Sequence, residues 1–431
     1  MRQLQQYMAY VLHRTGRDFS LFLIGELLTL LCIGVWNVAL SWWIATNGGA
    51  RDLAIYGVAL SGSSIFFTFV LSPLGDRYNK RTVILYSRTA LLVSGIALAS
   101  MCSSNHYNLV HIVWVVLAGS AAMAVVLPAC AAVPADVVKI EHLPLALSLQ
   151  KSVQSIGRTI GPALAGGMLA FADMSISFWV MVFLGGLSAL STLPVSKLGV
   201  HHLTMKSPKS WHKDLHAGLR AKWEILIERY WSLLSLAFFS AFLPATGMLL
   251  PLLVRHHGLT GGWYGLIDVG YAVGMVFGFV WLTQRLNQRV GRVIAGVIGL
   301  SFTGVSIAAA GLVAAPPLLV VAFFGAGAGF AVHNLNGQTH RTLAIPAPYR
   351  VRLMAINVMS YQLASAIGAA ITGWLLAAHI TPETLYVAYG AIILVVGVSF
   401  AWIPGYTHFM SLHHEKADCF YGKQRPDLFP E

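Results

Sequence analysis

Long apolar runs recur along the whole of this sequence, most of them parted by turns too short to hold a domain. A helix needs about 20 mostly apolar residues to cross a bilayer. Twelve stretches qualify: 19–46, 52–74, 82–102, 108–131, 144–170 and 175–194, then 231–254, 262–283, 291–314, 316–337, 352–378 and 384–403. Only 10% of the 431 residues are charged and the mean hydropathy is +0.69, against about 25% charged in a soluble domain of average usage. In hydrocarbon every backbone polar group must be bonded internally, so such runs are read as helices. The expected fold class is an all-α membrane protein of twelve transmembrane helices in two six-helix halves.

The formal net charge of +12 suggests nucleic acid at first sight. The basic residues are scattered among loops and form no single stripe, so no nucleic-acid partner is expected. A polytopic membrane protein gains this excess from its cytoplasmic loops. With the N-terminus inside, Arg14, Arg17, Lys139, Arg285, Arg289, Arg292, Arg341 and Lys423 all face the cytoplasm, while the outer face receives Arg51 and Arg255. Both termini are therefore expected inside, in a multi-pass protein of the cytoplasmic (inner) membrane. The expected organisation is an N-terminal arm (1–18), a first six-helix half (19–194), a basic linker with an amphipathic helix (195–230), a second half (231–403) and a tail (404–431). The arm has neither an apolar core nor a cleavage site, which a signal peptide would need.

The halves repeat weakly: 143–170 can be laid over 350–377, placing Gly161 on Gly368. Such repeats mark transporters whose substrate site lies near the midplane between the halves. The turn S-P-L-G-D-R-Y-N-K-R (72–81) resembles the signature loop between helices 2 and 3 of the major facilitator superfamily. A-D-V-V-K-I-E-H-L-P-L-A-L-S-L-Q-K-S (135–152) and G-R-T-I-G-P-A-L-A-G-G (157–167) resemble its drug- and siderophore-exporting branch, which includes the enterobactin exporter. The resemblance implies a gate in which Asp76 and Arg77 join Asp136, with Lys80 and Arg81 beside them. It also implies a seal or hinge in helix 5 at Gly161, Pro162, Gly166 and Gly167, for which ordinary helix packing is the alternative. Ser72 and Asn79 stand where the loop motif has glycine, and Asn79 is expected to tolerate a left-handed turn.

Ionisable side chains inside a bilayer are costly and are functional candidates by default. Glu26 in helix 1, Asp268 in helix 8 and His333 in helix 10 are the candidates for proton coupling; the alternatives are a solvated helix end or structural pair for Asp268, and substrate contact or hydrogen-bonded packing for His333. Glu26 is expected to pair with Lys151 or Arg158 of helix 5, as a proton-exchanging carboxylate or as a static lock. Lys151, Arg158, Asn37, Asn336, Asn357, Tyr361 and Gln362 are candidate substrate contacts. The aromatics Trp42, Trp43, Trp263, Tyr264 and Trp402 are expected at the membrane interface.

No cofactor is expected, and no metal site: the adjacent histidines, such as His256 and His257, have no acid or cysteine at a ligand spacing. The sequence holds no phosphate-binding loop for ATP and no convergent nucleophile and base, so an enzyme is not expected. The expected function is secondary active export of a siderophore or amphipathic drug-like molecule by alternating access, with proton antiport, from a monomer in the lipid bilayer. The alternatives are a proton-coupled importer and a non-transporting sensor.

Overall fold

The computed structural model describes residues 16–77, 79–138, 142–195, 218–346, 349–412, 414–417 and 419–429. The chain divides into two compact units, Met1–Asp52 with Ala59–Thr204, and Leu53–Val58 with Met205–Glu431. Every described element is helical. The first six are α1 (Arg17–Asn47), α2 (Gly49–Arg77), α3 (Lys80–Ser103), α4 (Leu109–Val137), α5 (Leu143–Phe171) and α6 (Met174–Thr192). Then come α7 (Leu226–Leu243), α8 (Leu249–His256), α9 (Gly261–Phe277), α10 (Thr283–Leu312), α11 (Pro316–Ala344), α12 (Arg350–Ala377) and α13 (Pro382–Ser399). Three short helices end the chain: α14 (Tyr406–Ser411), α15 (His414–Ala417) and α16 (Phe420–Gln424).

A helix lies on each apolar run. Among the described residues, eight helical stretches are long and apolar enough to cross a membrane. The longest of these covers Gly261–Leu312 and is kinked at Gly291, whose φ of +79° and ψ of 162° suit glycine alone. Two helices widen into π turns, at Pro244–Met248 between α7 and α8 and at Gly278–Leu282 between α9 and α10. Pro244 has no N–H to give the regular ladder. The Ala245 carbonyl accepts a 2.5 Å bond from the Tyr386 hydroxyl of α13.

Small residues set the helix spacings. A Cβ on Gly34 of α1 would lie 2.6 Å from the Gly161 backbone of α5, and one on Gly157 would lie 2.6 Å from Leu30 Cβ. In the second unit Gly270, Gly274 and Gly278, one turn apart, press against the carbonyls of Val320, Phe324 and Ala328 on α11; a Cβ on Gly274 would come within 2.1 Å. Packing of this kind replaces the hydrophobic drive that lipid does not supply.

Two expectations change. Asn79 is not left-handed: its φ is −55°, and its side chain caps α3 by accepting from Arg81 N at 2.9 Å. Trp42, Trp43 and Tyr264 are not interfacial anchors but buried packing residues, with Trp43 edge-on to Phe178 at 5.5 Å. Trp402 remains 77% exposed.

Candidate functional site

Within the first unit, the Glu26 carboxylate in the third turn of α1 is buried. Gln150 Nε2 of α5 donates to both of its oxygens, at 3.0 and 3.3 Å, and to the Cys130 carbonyl at 3.0 Å. One turn on, Gln154 Nε2 donates to Oε1 at 2.8 Å. Positions i and i+4 share a helix face, so both amides reach one carboxylate. Lys151, next in sequence to Gln150, points away and is exposed; its ammonium donates to Gln154 Oε1 at 3.3 Å. Arg158 is also exposed. The expected ion pair is therefore not formed: among the described residues the hydrogen bonds to Glu26 come from amides, and Lys151 hydrogen-bonds Gln154 rather than the carboxylate.

Arg88 of α3 was not among the sequence-based candidates, although it is a lone cation in an apolar run. It is 2% exposed. Its Nη1 donates to Thr192 Oγ1 at 2.7 Å and to the Ser188 carbonyl at 3.1 Å, while its Nε is buried without a hydrogen bond. A Cβ on Gly25 would lie 2.2 Å from Nη1, so the guanidinium rests on the backbone beside Glu26. Ser188 Oγ closes the network by donating to the Gly25 carbonyl at 2.9 Å and sharing a 2.6 Å bond with Thr29. Asn37 of the same helix α1 is exposed.

In the second unit the polar residues of α11 separate onto two faces. Asn336 is buried and exchanges two amide bonds with Asn287 of α10, at 2.8 and 2.9 Å. His333 Nδ1 meets the Gly296 carbonyl at 3.3 Å, with its ring 4.7 Å from Phe400. Both therefore tie helices together within the unit. Asn334 and Gln338 instead line a shallow depression of about 430 Å³ with Phe279 and Leu335.

Asp268 of α9 is half-buried, with no hydrogen bond or ion pair among the described residues. One turn on, Tyr271 joins a group of rings: Phe242 at 6.2 Å, Phe330 stacked on Phe242 at 4.9 Å, and Phe239 edge-on to Tyr361 at 5.0 Å. Tyr361 is 40% exposed and Gln362 half-buried. Asn357 lies deeper in a charged cluster. Its Oδ1 accepts from Lys222 Nζ and, at 3.2 Å, from Arg341 Nη2. Arg341 grips the buried Glu228 carboxylate with two bonds of 2.9 and 2.6 Å and lies 4.8 Å over the Trp231 ring. Burial, aided by Arg341 and opposed by Glu228, pushes the Lys222 ammonium down to about 8.

A family model described as Major Facilitator Superfamily matches residues 22–292 and 245–416. The chain belongs to that superfamily.

Solved structures agree in fold. A nucleoside transporter (NupG) superposes with a TM-score of 0.70 at 14% identity, covering 90% of this chain and 100% of that one. A peptide transporter (POT) gives 0.70 at 15% identity, covering 91% and 95%. A POT family transporter in complex with 5-aminolevulinic acid gives 0.68 at 12% identity, covering 91% and 98%. At these identities the likeness is one of fold. No curated protein matches the sequence significantly. Membership makes this chain a membrane transporter rather than an enzyme.

For this superfamily member the side chains of Asp76, Arg77 and Asp136 lie outside the described residues. Of their neighbours, Lys80 is buried and Arg81 Nη2 donates to the Leu193 carbonyl at the end of α6. Gly161 and Pro162 of the helix 5 motif pack on Gly34 of α1, inside the first unit. Gly166 is buried, while a Cβ on Gly167 would meet nothing within 4 Å.

Proposed function

We propose that this superfamily member is a secondary transporter that exports a small siderophore-like or amphipathic molecule by alternating access, in exchange for protons. In this reading it crosses the cytoplasmic membrane twelve times as a monomer, with both termini inside. Asp76, Arg77 and Asp136 form its cytoplasmic gate in this reading.

One observation carries the proton coupling: Glu26 is buried and held by two amides, Gln150 and Gln154, rather than by a fixed cation. A carboxylate clamped by a guanidinium must break an ion pair to accept a proton. One held by glutamines has partners for both forms, because an amide donates to the charged carboxylate and its carbonyl accepts from the neutral acid. Arg88 lies close enough to be felt electrostatically by Glu26. Small movements of α1 against α3 would then change proton occupancy. Lys151 and Arg158, both exposed on α5, supply attraction for an anionic cargo.

Export rests on the resemblance of 135–152 and 157–167 to the efflux branch. Membrane vesicles of known orientation, given a panel of catecholate and hydroxamate siderophores and fluorescent amphipathic dyes, test it under an imposed pH gradient. Proton-driven movement from the cytoplasmic face outward supports export. Accumulation in the other direction marks a symport importer, and binding of the panel without flux marks a sensor.

A further inference from the structure

The fold assembles a cluster that sequence spacing conceals. His256 and His257 end α8, and Glu383 opens α13, 127 residues later. His256 Nδ1 lies 2.6 Å from Glu383 Oε1, and His257 Nε2 lies 3.2 Å from the same oxygen. One ligand atom from each of the three residues falls within a 4.8 Å span. We infer that His256, His257 and Glu383 form a binding site for a divalent transition-metal ion of the Zn(II) class.

The donor set selects the ion. Two imidazoles and one carboxylate suit zinc, which takes nitrogen and oxygen ligands at about 2.0–2.2 Å. Calcium and magnesium prefer all-oxygen shells. Two ring nitrogens and an anionic oxygen converge here. Without a cation both imidazoles must present N–H to the same oxygen; a bound ion takes all three lone pairs instead. Three protein ligands leave a fourth position for water, and the 57% exposure of the His256 side chain provides the path of entry.

The backbone around the site is fixed. Gly258, at φ +68°, closes α8, its N–H donating to the Arg255 carbonyl at 2.9 Å while Leu259 N donates to Val254 O at 3.0 Å. This sets the direction in which the two histidines leave the helix. On the other side Thr381 caps α13 through Thr384 N at 3.4 Å. One turn beyond Glu383, Tyr386 is anchored on the Ala245 carbonyl. A Cβ on Gly311 of α10 would lie 2.4 Å from the Glu383 carbonyl oxygen, so α13 has no room to slide there. Bound metal therefore fastens the end of α8 to the start of α13 within the second unit. In the topology proposed above this end lies outside, where the site meets extracellular metal.

Purified full-length protein, stripped with EDTA, is titrated with Zn(II) alone and followed by calorimetry and thermal unfolding. Wild type should bind one more equivalent than either His256→Ala or Glu383→Gln, and its Tm should rise with that equivalent. Loss of a ligand should weaken this event by more than about tenfold, since even outer-shell changes cost that much. His256 is exposed and Gln is isosteric with Glu, so both variants keep the fold. Co(II) should give a visible absorption band in wild type that neither variant gives, and Mg(II) should produce no Tm shift. Equal zinc stoichiometry and Tm shift in wild type and both variants would overturn the site, as would the absence of any zinc-dependent shift in wild type.

Discussion

The hydroxyl of Tyr421, near the end of the chain, donates a 3.0 Å hydrogen bond to the buried carboxylate of Glu228, 193 residues upstream. The tail is thus a structural part of the second unit. Tyr406, Phe409 and Tyr421 are each no more than 1% exposed, and Phe409 stacks on Tyr421 at 5.6 Å. Arg425 adds an ion pair to Glu224. Tyr421→Phe removes one charge-assisted bond and keeps the ring, so it should destabilise the protein by about 1.5–3 kcal/mol, read as a lower Tm in detergent. An unchanged Tm would mean that the bond contributes nothing.

Arg341 should matter more. Removing it leaves Glu228 as an uncompensated buried charge, a loss of about 3–5 kcal/mol. Arg341→Met should therefore be severe, and Glu228→Gln combined with Arg341→Met should recover much of the loss. Additive losses in the double variant would show that the two residues act separately.

The same cluster predicts a pH dependence. The Lys222 ammonium titrates near 8 in the folded protein against 10.5 ordinarily, chiefly because it is buried. Between those values the unfolded chain binds more protons, so stability should rise with pH from about 8 upward. Below about 8 both states are charged and the penalty is constant. Tyr421, held above its ordinary 10.0 by burial and by Glu228, reverses the trend once unfolded tyrosine ionises, so the window closes near pH 10. Lys222→Met should raise Tm at pH 7 and flatten the slope between pH 8 and 9.5. An identical slope in the variant would assign the titration elsewhere.

The helix 5 motif gives a steric prediction with an internal control. A Cβ on Gly34 falls 2.6 Å from the Gly161 backbone, which cannot yield as a side chain would. Gly34→Ala or Gly161→Ala should cost about 1–3 kcal/mol or more by overpacking. Gly167→Ala meets nothing within 4 Å and should leave stability unchanged. Equal tolerance at all three positions would dissolve the close crossing of α1 and α5.

Much of the fold was legible because the bilayer demands long apolar runs, and each of those runs is helical. Glu26 was legible for a related reason, as a charge that the run could not otherwise tolerate. Arg88 carried the same signal but follows a basic turn closely enough to read as part of it. The glutamines that hold Glu26 were hidden because an amide in an apolar helix has several uses, and only the approach of α5 to α1 selects one. His333 and Asn336 looked like cavity residues because composition cannot say which face of α11 is inward; their partners, Gly296 and Asn287, lie on a different helix. The stripe Gly270, Gly274 and Gly278 was written in the sequence at four-residue spacing, yet its counterpart is a row of carbonyls that no side-chain pattern reveals. Glu383 had no local link to His256; only the placement of α13 beside α8 supplies one.

In the proposed mechanism Glu26 carries the proton. The most direct test is transport by Glu26→Gln protein in proteoliposomes, using whichever panel compound the wild type moves, under an imposed pH gradient and by substrate counterflow. Glutamine keeps the side-chain shape and a place among Gln150, Gln154 and Cys130 but cannot titrate. Gradient-driven transport should collapse while counterflow survives. Gradient-driven transport at the wild-type rate in that variant would contradict the claim.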